Sequence, residues 1–253
     1  WWEVPVIDSF ELLRDIYDVD RARFKRSMDE LVCMEHSYIV VEDGRVAGVF
    51  RTLPERYAQL PVLDYGEQLI LPGMTDLHVH APQFAFRGLG MDMELLEWLN
   101  AYTFPEESKY KELEYADRAY GSFVNHLLHS TTTRAAIFAT IHVPATELLM
   151  QKLDEAGLSC YVGKVNMNRN CPPYLRELST NHSLRDTERW ILDTKDAFQR
   201  TKPILTPRFI PSCTDDLMFG LARLREQYDL PVQSHLSENY SEIDWIRELC
   251  PKS

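Results

Sequence analysis

The chain lacks any apolar run near the ~18 residues a membrane-spanning helix needs, any Cys-x-x-Cys pair, and any surplus of positive charge. Each absence excludes something. Lys plus Arg number 27 against 39 Asp plus Glu, a net charge of −12. An acidic surface repels a nucleic-acid backbone and an anionic membrane alike, so neither is expected as a partner. The five cysteines, Cys33, Cys160, Cys171, Cys213 and Cys250, are scattered and odd in number. Reduced thiols in a cytoplasmic protein are expected, not a disulfide framework or a thiolate metal site. The opening WWEVPVIDSFELLRD has neither the basic nor the apolar stretch of a secretory signal. No G-x-G-x-x-G follows a strand pattern, which argues against dinucleotide binding. What remains, at 45% hydrophobic and 26% charged residues, is an ordinary globular composition.

The first part of the chain reads as a small β-rich module over residues 1–70. Residues 38–50, YIVVEDGRVAGVF, predict a hairpin turning at Asp43-Gly44. Residues 10–32 predict a helix or a surface excursion, and 61–73, PVLDYGEQLILPG, a further strand. Over 71–253 the pattern alternates. Strands are expected in MTDLHVH, TTTRAAIFATIH, SCYVGKVNM, KPILTPRFI and LPVQSHLSE. Helices are expected between them: MELLEWLNAYTF, ELEYADRAYGSFVNHLLHS, PATELLMQKLDEAG closed by Gly157, SLRDTERWILDTKDAF capped by Ser183, TDDLMFGLARLREQY with Leu217, Leu221 and Leu224 on one face, and NYSEIDWIRELC. Five strand–helix units imply an α/β fold with a parallel sheet, since parallel neighbours need crossovers. Such units build an open doubly wound sheet or most of an eight-fold barrel, and periodicity does not choose between them.

In MTDLHVH, His78 and His80 lie at i and i+2 and project from one face of a strand. Imidazoles so placed can share a metal ion. Eight histidines in this chain would give about 0.25 such pairs by chance, so spacing alone leaves a metal pair and an incidental pair equally open. Position adds to it. The pair ends a strand, where α/β barrels carry their chemistry. His235 ends a later one, with Glu238 three residues on, able to act as a carboxylate beside a metal. His142 also ends a strand run and could line the same pocket. His126 and His129 read as helix-surface or packing residues, and His36 and His182 as solvated.

The segment PGMTDLHVHAPQFAFRGLGMDMELLEWLNAYTFPEE closely resembles the metal-binding opening of guanine deaminases, within the amidohydrolase superfamily. TTTRAAIFATIH, VGKVNMNRN, LTPRF and VQSHLSEN extend the likeness over about residues 70 to 250. The resemblance implies a (β/α)8 TIM barrel, here its first five β/α units, with a partial β-sandwich module before it. It implies one zinc ion per subunit, held by His78, His80 and His235, with Glu238 as the catalytic proton shuttle. Gln83, Arg208 and Phe209 are implied to hold guanine, with His80 and Glu238 also touching it. The reaction implied is hydrolysis of guanine to xanthine and ammonia by a zinc-activated water, in purine catabolism, by a protein that is cytoplasmic and a homodimer at full length.

The family pattern continues past Ser253. Its later barrel strands, a further active-site histidine and a metal-site aspartate have no match here; Asp244 and Asp76 do not replace that aspartate. The sequence is therefore read as a fragment or shortened homologue, expected to be weak or inactive alone. Two competing expectations follow: a non-catalytic interaction isoform, or an amidohydrolase for another heterocycle such as cytosine, adenosine or an s-triazine.

Overall fold

A computed structural model describes residue 34 and residues 36–251 of the chain. The helix expected over 10–32 lies outside the described residues, as does Cys33. The chain divides into two compact units, Trp1–Ile70 and Leu71–Ser253.

In the first unit, β1 (Tyr38–Glu42) and β2 (Arg45–Phe50) form the expected antiparallel hairpin. Asp43 and Gly44 both take positive φ, 49° and 72°. That pair of left-handed residues matches the twist of the flanking strands, which is why Asp-Gly serves there. The strand expected over 61–73 does not form; the segment is irregular and largely exposed. Pro61, Gly66 and Pro72 break up its apolar residues, and proline cannot supply a ladder donor.

In the second unit, β3 (Met74–His80), β4 (Thr132–Phe138), β5 (Ser159–Gly163) and β7 (Lys202–Pro203) make a parallel sheet in that order. After a break at Lys164, β6 (Val165–Asn166) pairs in parallel with β8 (Thr206–Pro207). The fifth expected strand, 230–238, is reduced to isolated parallel bridges, Leu205 to Val232 and Phe209 to His235. Pro203, Pro207 and Pro231 interrupt these ladders because each removes a donor. Gly163 makes the close packing possible: a Cβ there would lie 1.7 Å from Thr206 Oγ1.

The crossovers are helical. The run after β3 comprises α1 (Leu95–Trp98), a π-helical turn (Leu99–Thr103) and α2 (Phe104–Ser108), followed by α3 (Leu113–Leu128). Then come α4 (Val143–Glu155), α5 (Thr180–Thr194), α6 (Asp215–Tyr228) and α7 (Tyr240–Leu249). The cap of α5 is Ser179, whose hydroxyl accepts the His182 N–H at 3.1 Å. Ser183, expected there, is instead buried inside the helix and donates to Glu177. Thr214 and Asn239 cap α6 and α7 in the same way as Ser179.

The main core lies between sheet and helices. Ala135, Ile137 and Val162 from the strands meet Tyr120, Phe123, Leu149 and Leu153, and Leu217, Leu221 and Leu224 arrive from α6 as the sequence spacing predicts. A smaller cluster of Leu99, Phe104, Phe138, Val165, Met167 and Leu175 is separate. It contains Phe138, the last residue of β4. The ladder sets His80 level with Phe138 and Phe138 level with Gly163, so this cluster adjoins the strand ends where the chemistry is expected.

Candidate metal centre and active site

The i, i+2 spacing on β3 delivers His78 and His80 side by side, with ring centroids 5.2 Å apart. His235 joins them through its bridge to Phe209; its centroid is 4.9 Å from each. One nitrogen from each of the three rings lies within 4.8 Å of the others. The three rings share a floor. Phe138, fully buried, stacks on His80 at 4.5 Å and 20°, and sits 4.4 Å from His235 and 5.0 Å from His78.

The backbone fixes the rings further. Asp76 Oδ1 accepts the His78 N–H at 3.0 Å. The carbonyl oxygen of Arg208 receives both the His235 N–H, at 3.0 Å, and His235 Nδ1, at 2.6 Å. A carbonyl only accepts, so Nδ1 carries the proton and the neutral ring keeps its lone pair on Nε2. That Nε2 lies 2.8 Å from His80 Nε2. Burial, with His235 nearby, holds His80 well below the usual imidazole pKa. Burial likewise pushes His235 down to about 4, against the opposing pull of the Arg208 carbonyl. Two neutral imidazoles, His235 buried and His80 half-buried, aiming nitrogens at one point, with a third beside them, are a donor set suited to a borderline divalent cation.

These rings form one side of a cavity of about 380 Å³, a volume typical of small-molecule sites. Gln83 and Phe84 enter it from the 3-10 turn Ala81–Phe86 that follows β3. Leu95, Trp98 and Leu99 supply an apolar wall, and Arg208, Phe209 and Glu238 complete the lining. Arg208 is 2% exposed and bonds Glu107 at 2.7 Å. Glu238 lies on an accessible side, yet the surrounding walls and the Glu242 carboxylate raise its carboxyl pKa. Glu242 is fully buried and accepts the Glu238 N–H at 2.6 Å.

All seven residues singled out in the sequence thus border one cavity. The other histidines do not line it. His142 stands at the start of α4, His126 packs on Phe84 at 5.1 Å, and His129 bonds the Asn125 carbonyl. His182 is half-buried and faces Asp186 at 3.4 Å, not solvated as expected. Asp244 is exposed on α7 and pairs with Arg247. Sequence reasoning missed Phe138, Glu107 and Glu242. Phe138 reads as one more apolar strand residue, and the two glutamates as surface charges. Their only signal is placement: Phe138 ends a strand level with the histidines, and Glu107 follows Phe104 and Pro105.

A parallel α/β sheet with three imidazoles gathered beside its strand ends defines an α/β-barrel type of fold with a candidate metal centre. Residues 69–253 match the amidohydrolase family, and the chain belongs to it. A guanine deaminase from Dictyostelium discoideum is 42% identical over 201 residues, covering 76% of this chain and 43% of that protein. A guanine deaminase from Escherichia coli is 35% identical over 226 residues, 86% of this chain and 50% of that one. Among solved structures, a guanine deaminase from C. acetobutylicum with guanine bound in its active site is 50% identical. It superposes with a TM-score of 0.85, covering 88% of this chain and 53% of that chain. The chain therefore spans about half the length of the relatives it matches.

Proposed function

We propose that this protein is a zinc-dependent guanine deaminase, converting guanine and water to xanthine and ammonia, and that His78, His80, Gln83, Arg208, Phe209, His235 and Glu238 form its site. The observation that carries the reading is the meeting of three histidines and Arg208 around a single cavity, in a chain 50% identical to a guanine deaminase solved with guanine bound.

His78, His80 and His235 would hold the zinc through ring nitrogens, those of His80 and His235 kept neutral by desolvation. Bound there, zinc supplies Lewis acidity that makes a water nucleophilic near neutral pH. Arg208 spends one nitrogen, Nη1, on Glu107, which leaves Nε and Nη2 to donate to the carbonyl edge of a purine. The Gln83 amide both donates and accepts, and so can read the mixed donor–acceptor edge of guanine. Phe209, 3% exposed, gives the ring an apolar contact. Glu238 moves the protons. A carboxyl pKa raised from its usual value brings it nearer neutral pH, where it can take a proton from water and return it to a ring nitrogen. A second proton, taken from the hydroxyl now on the ring carbon and passed to the exocyclic amine, lets the group leave as ammonia instead of an amide anion while that hydroxyl becomes the new carbonyl.

A cytoplasmic homodimer acting in purine catabolism goes with this reading. Among the described residues no helix is long and apolar enough to cross a membrane, and Cys160, Cys171 and Cys213 are unbridged thiols. The test is a binding and turnover panel on the zinc-loaded protein. Guanine should bind in preference to adenine, cytosine and an amino-s-triazine, and xanthine and ammonia should appear in equal amounts wherever turnover occurs. No binding of guanine, or equal binding of all four rings, overturns the assignment.

A further inference from the structure

The carboxylate of Glu107 enters the reading above only as the partner of Arg208, and it is itself a deeply buried charge. It is 1% exposed, and its partner Arg208 lies 101 residues later in the chain. Glu107 Oε2 accepts from Arg208 Nη1 at 2.7 Å, while Glu107 Oε1 is buried with no hydrogen-bond partner. As a device for stability this is poor. Two charges are desolvated, one oxygen is left unpaired, and apolar residues of like volume would serve the core as well or better. As a device for placement it is effective. Nη1 is tied to Glu107 and lies 3.9 Å from Met167 Sδ, and Phe104 sits 5.2 Å beneath the guanidinium carbon. Nε and Nη2 have no protein acceptor among the described residues, and Arg208 borders the cavity.

We propose that Glu107 is a positioning residue that sets the plane of the Arg208 guanidinium and cancels its charge, so that the cavity selects a neutral carbonyl-bearing ring over an anionic one. The proposal rests on Arg208 being the substrate-reading residue. An uncompensated guanidinium in a dry pocket attracts an anion in place of its missing partner. A guanidinium already paired keeps its donors and loses its preference for charge. Glu107 touches no ligand in this scheme; it acts through Arg208 alone.

The experiment uses the full chain carrying Glu107→Gln, Glu107→Asp, Arg208→Gln or the double change Glu107→Gln/Arg208→Gln. Arginine side-chain nitrogen NMR reads the clamp without any ligand. A resolved, slowly rotating Arg208 guanidinium is expected in the wild type and its collapse in Glu107→Gln. Equilibrium binding is measured with guanine and with urate, a purine that is an anion at neutral pH. Glu107→Gln is expected to weaken guanine at least ten-fold and to raise urate relative to it. In the Arg208→Gln background the same change should have no further effect, which a merely structural role would not predict. An unchanged Arg208 signal, an unchanged guanine-to-urate preference, or an undiminished effect in the Arg208→Gln background overturns the proposal. If Glu107→Gln does not fold, Glu107→Asp decides. Its charge stays but recedes by one methylene, so guanine binding should fall ten-fold with urate still rejected; unaltered guanine binding overturns the clamp. Failure of the wild-type chain to bind guanine would count against the proposed function, and the NMR arm would still decide the clamp.

Discussion

His235 Nδ1 donates to the main-chain carbonyl of Arg208 at 2.6 Å. The residue whose side chain borders the cavity therefore also fixes the tautomer of a prospective metal ligand. Because that acceptor is backbone, no side-chain change at 208 removes it. Replacing His235 with Ala, by contrast, takes away one of three donors. Zinc content measured by elemental analysis should fall from near one per chain to well below half, and the same is expected for His80→Ala. Full retention of zinc by either variant would place the ion elsewhere.

Phe138 is the common floor of all three imidazoles. Phe138→Ala should destabilise the fold by about 3–5 kcal/mol through lost burial and the cavity it leaves. It should also loosen the ligand set, weakening zinc by about 10–100-fold, as removing the support of metal ligands commonly does. Urea unfolding and a competitive zinc titration separate the two effects. Phe138→Leu, which keeps an apolar floor, should retain most of both.

The buried histidines give the metal-free protein an acid-side weakness. His235 is pushed from the ordinary 6.5 down to about 4. Above pH 6.5 the ring is neutral in both folded and unfolded chains and contributes no pH dependence. Between about 6.5 and 4 only the unfolded chain takes up the proton, so stability declines as pH falls. For His235 alone the loss is about 3 kcal/mol, and His80 adds to it in the same direction. Glu238, with a raised pKa, works the opposite way because its protonated form is favoured in the fold. Denaturant midpoints of the chelator-treated protein, taken from pH 7.5 to 4, should drop over this window. A flat profile would mean that these rings are not held neutral.

Arg208→Gln should cost about 2–3 kcal/mol in transition-state binding of guanine, because a charged donor pair is replaced by an amide. It should also lower stability by about 3–5 kcal/mol, since Glu107 is left charged and buried without a partner. Kinetics against guanine and a competing ring, together with a melting curve, check both. If discrimination between rings survives the change, another residue reads the base.

The readability of this chain followed the physics of each signal. Hydrophobic periodicity located α3, α4, α5 and α6, because each buries one apolar face in the core. The Leu217, Leu221 and Leu224 stripe is buried as its spacing requires. It erred at 61–73, where apolar content suggested a strand but Pro61, Gly66 and Pro72 left it no ladder. At α5 it chose Ser183 over Ser179 as the cap, since two serines stand four residues apart and only tertiary burial separates them. The histidines were visible because strand geometry forces i and i+2 together, and the roles of Gln83, Arg208 and Phe209 came from resemblance. Phe138 and Glu107 were not visible. Their partners lie in distant parts of the sequence, and a buried carboxylate looks like any other until something closes over it.

The π-helical turn at Leu99–Thr103 has a consequence for everything downstream. A wide turn inside a helix acts as a phase shift: it accommodates one residue more than a regular coil, and each residue counts for about 100° of rotation. Glu107 stands one turn beyond it. Deleting a single residue from that turn would keep the helix intact while swinging the carboxylate about a quarter-circle off its bearing, leaving the guanidinium to find its own orientation.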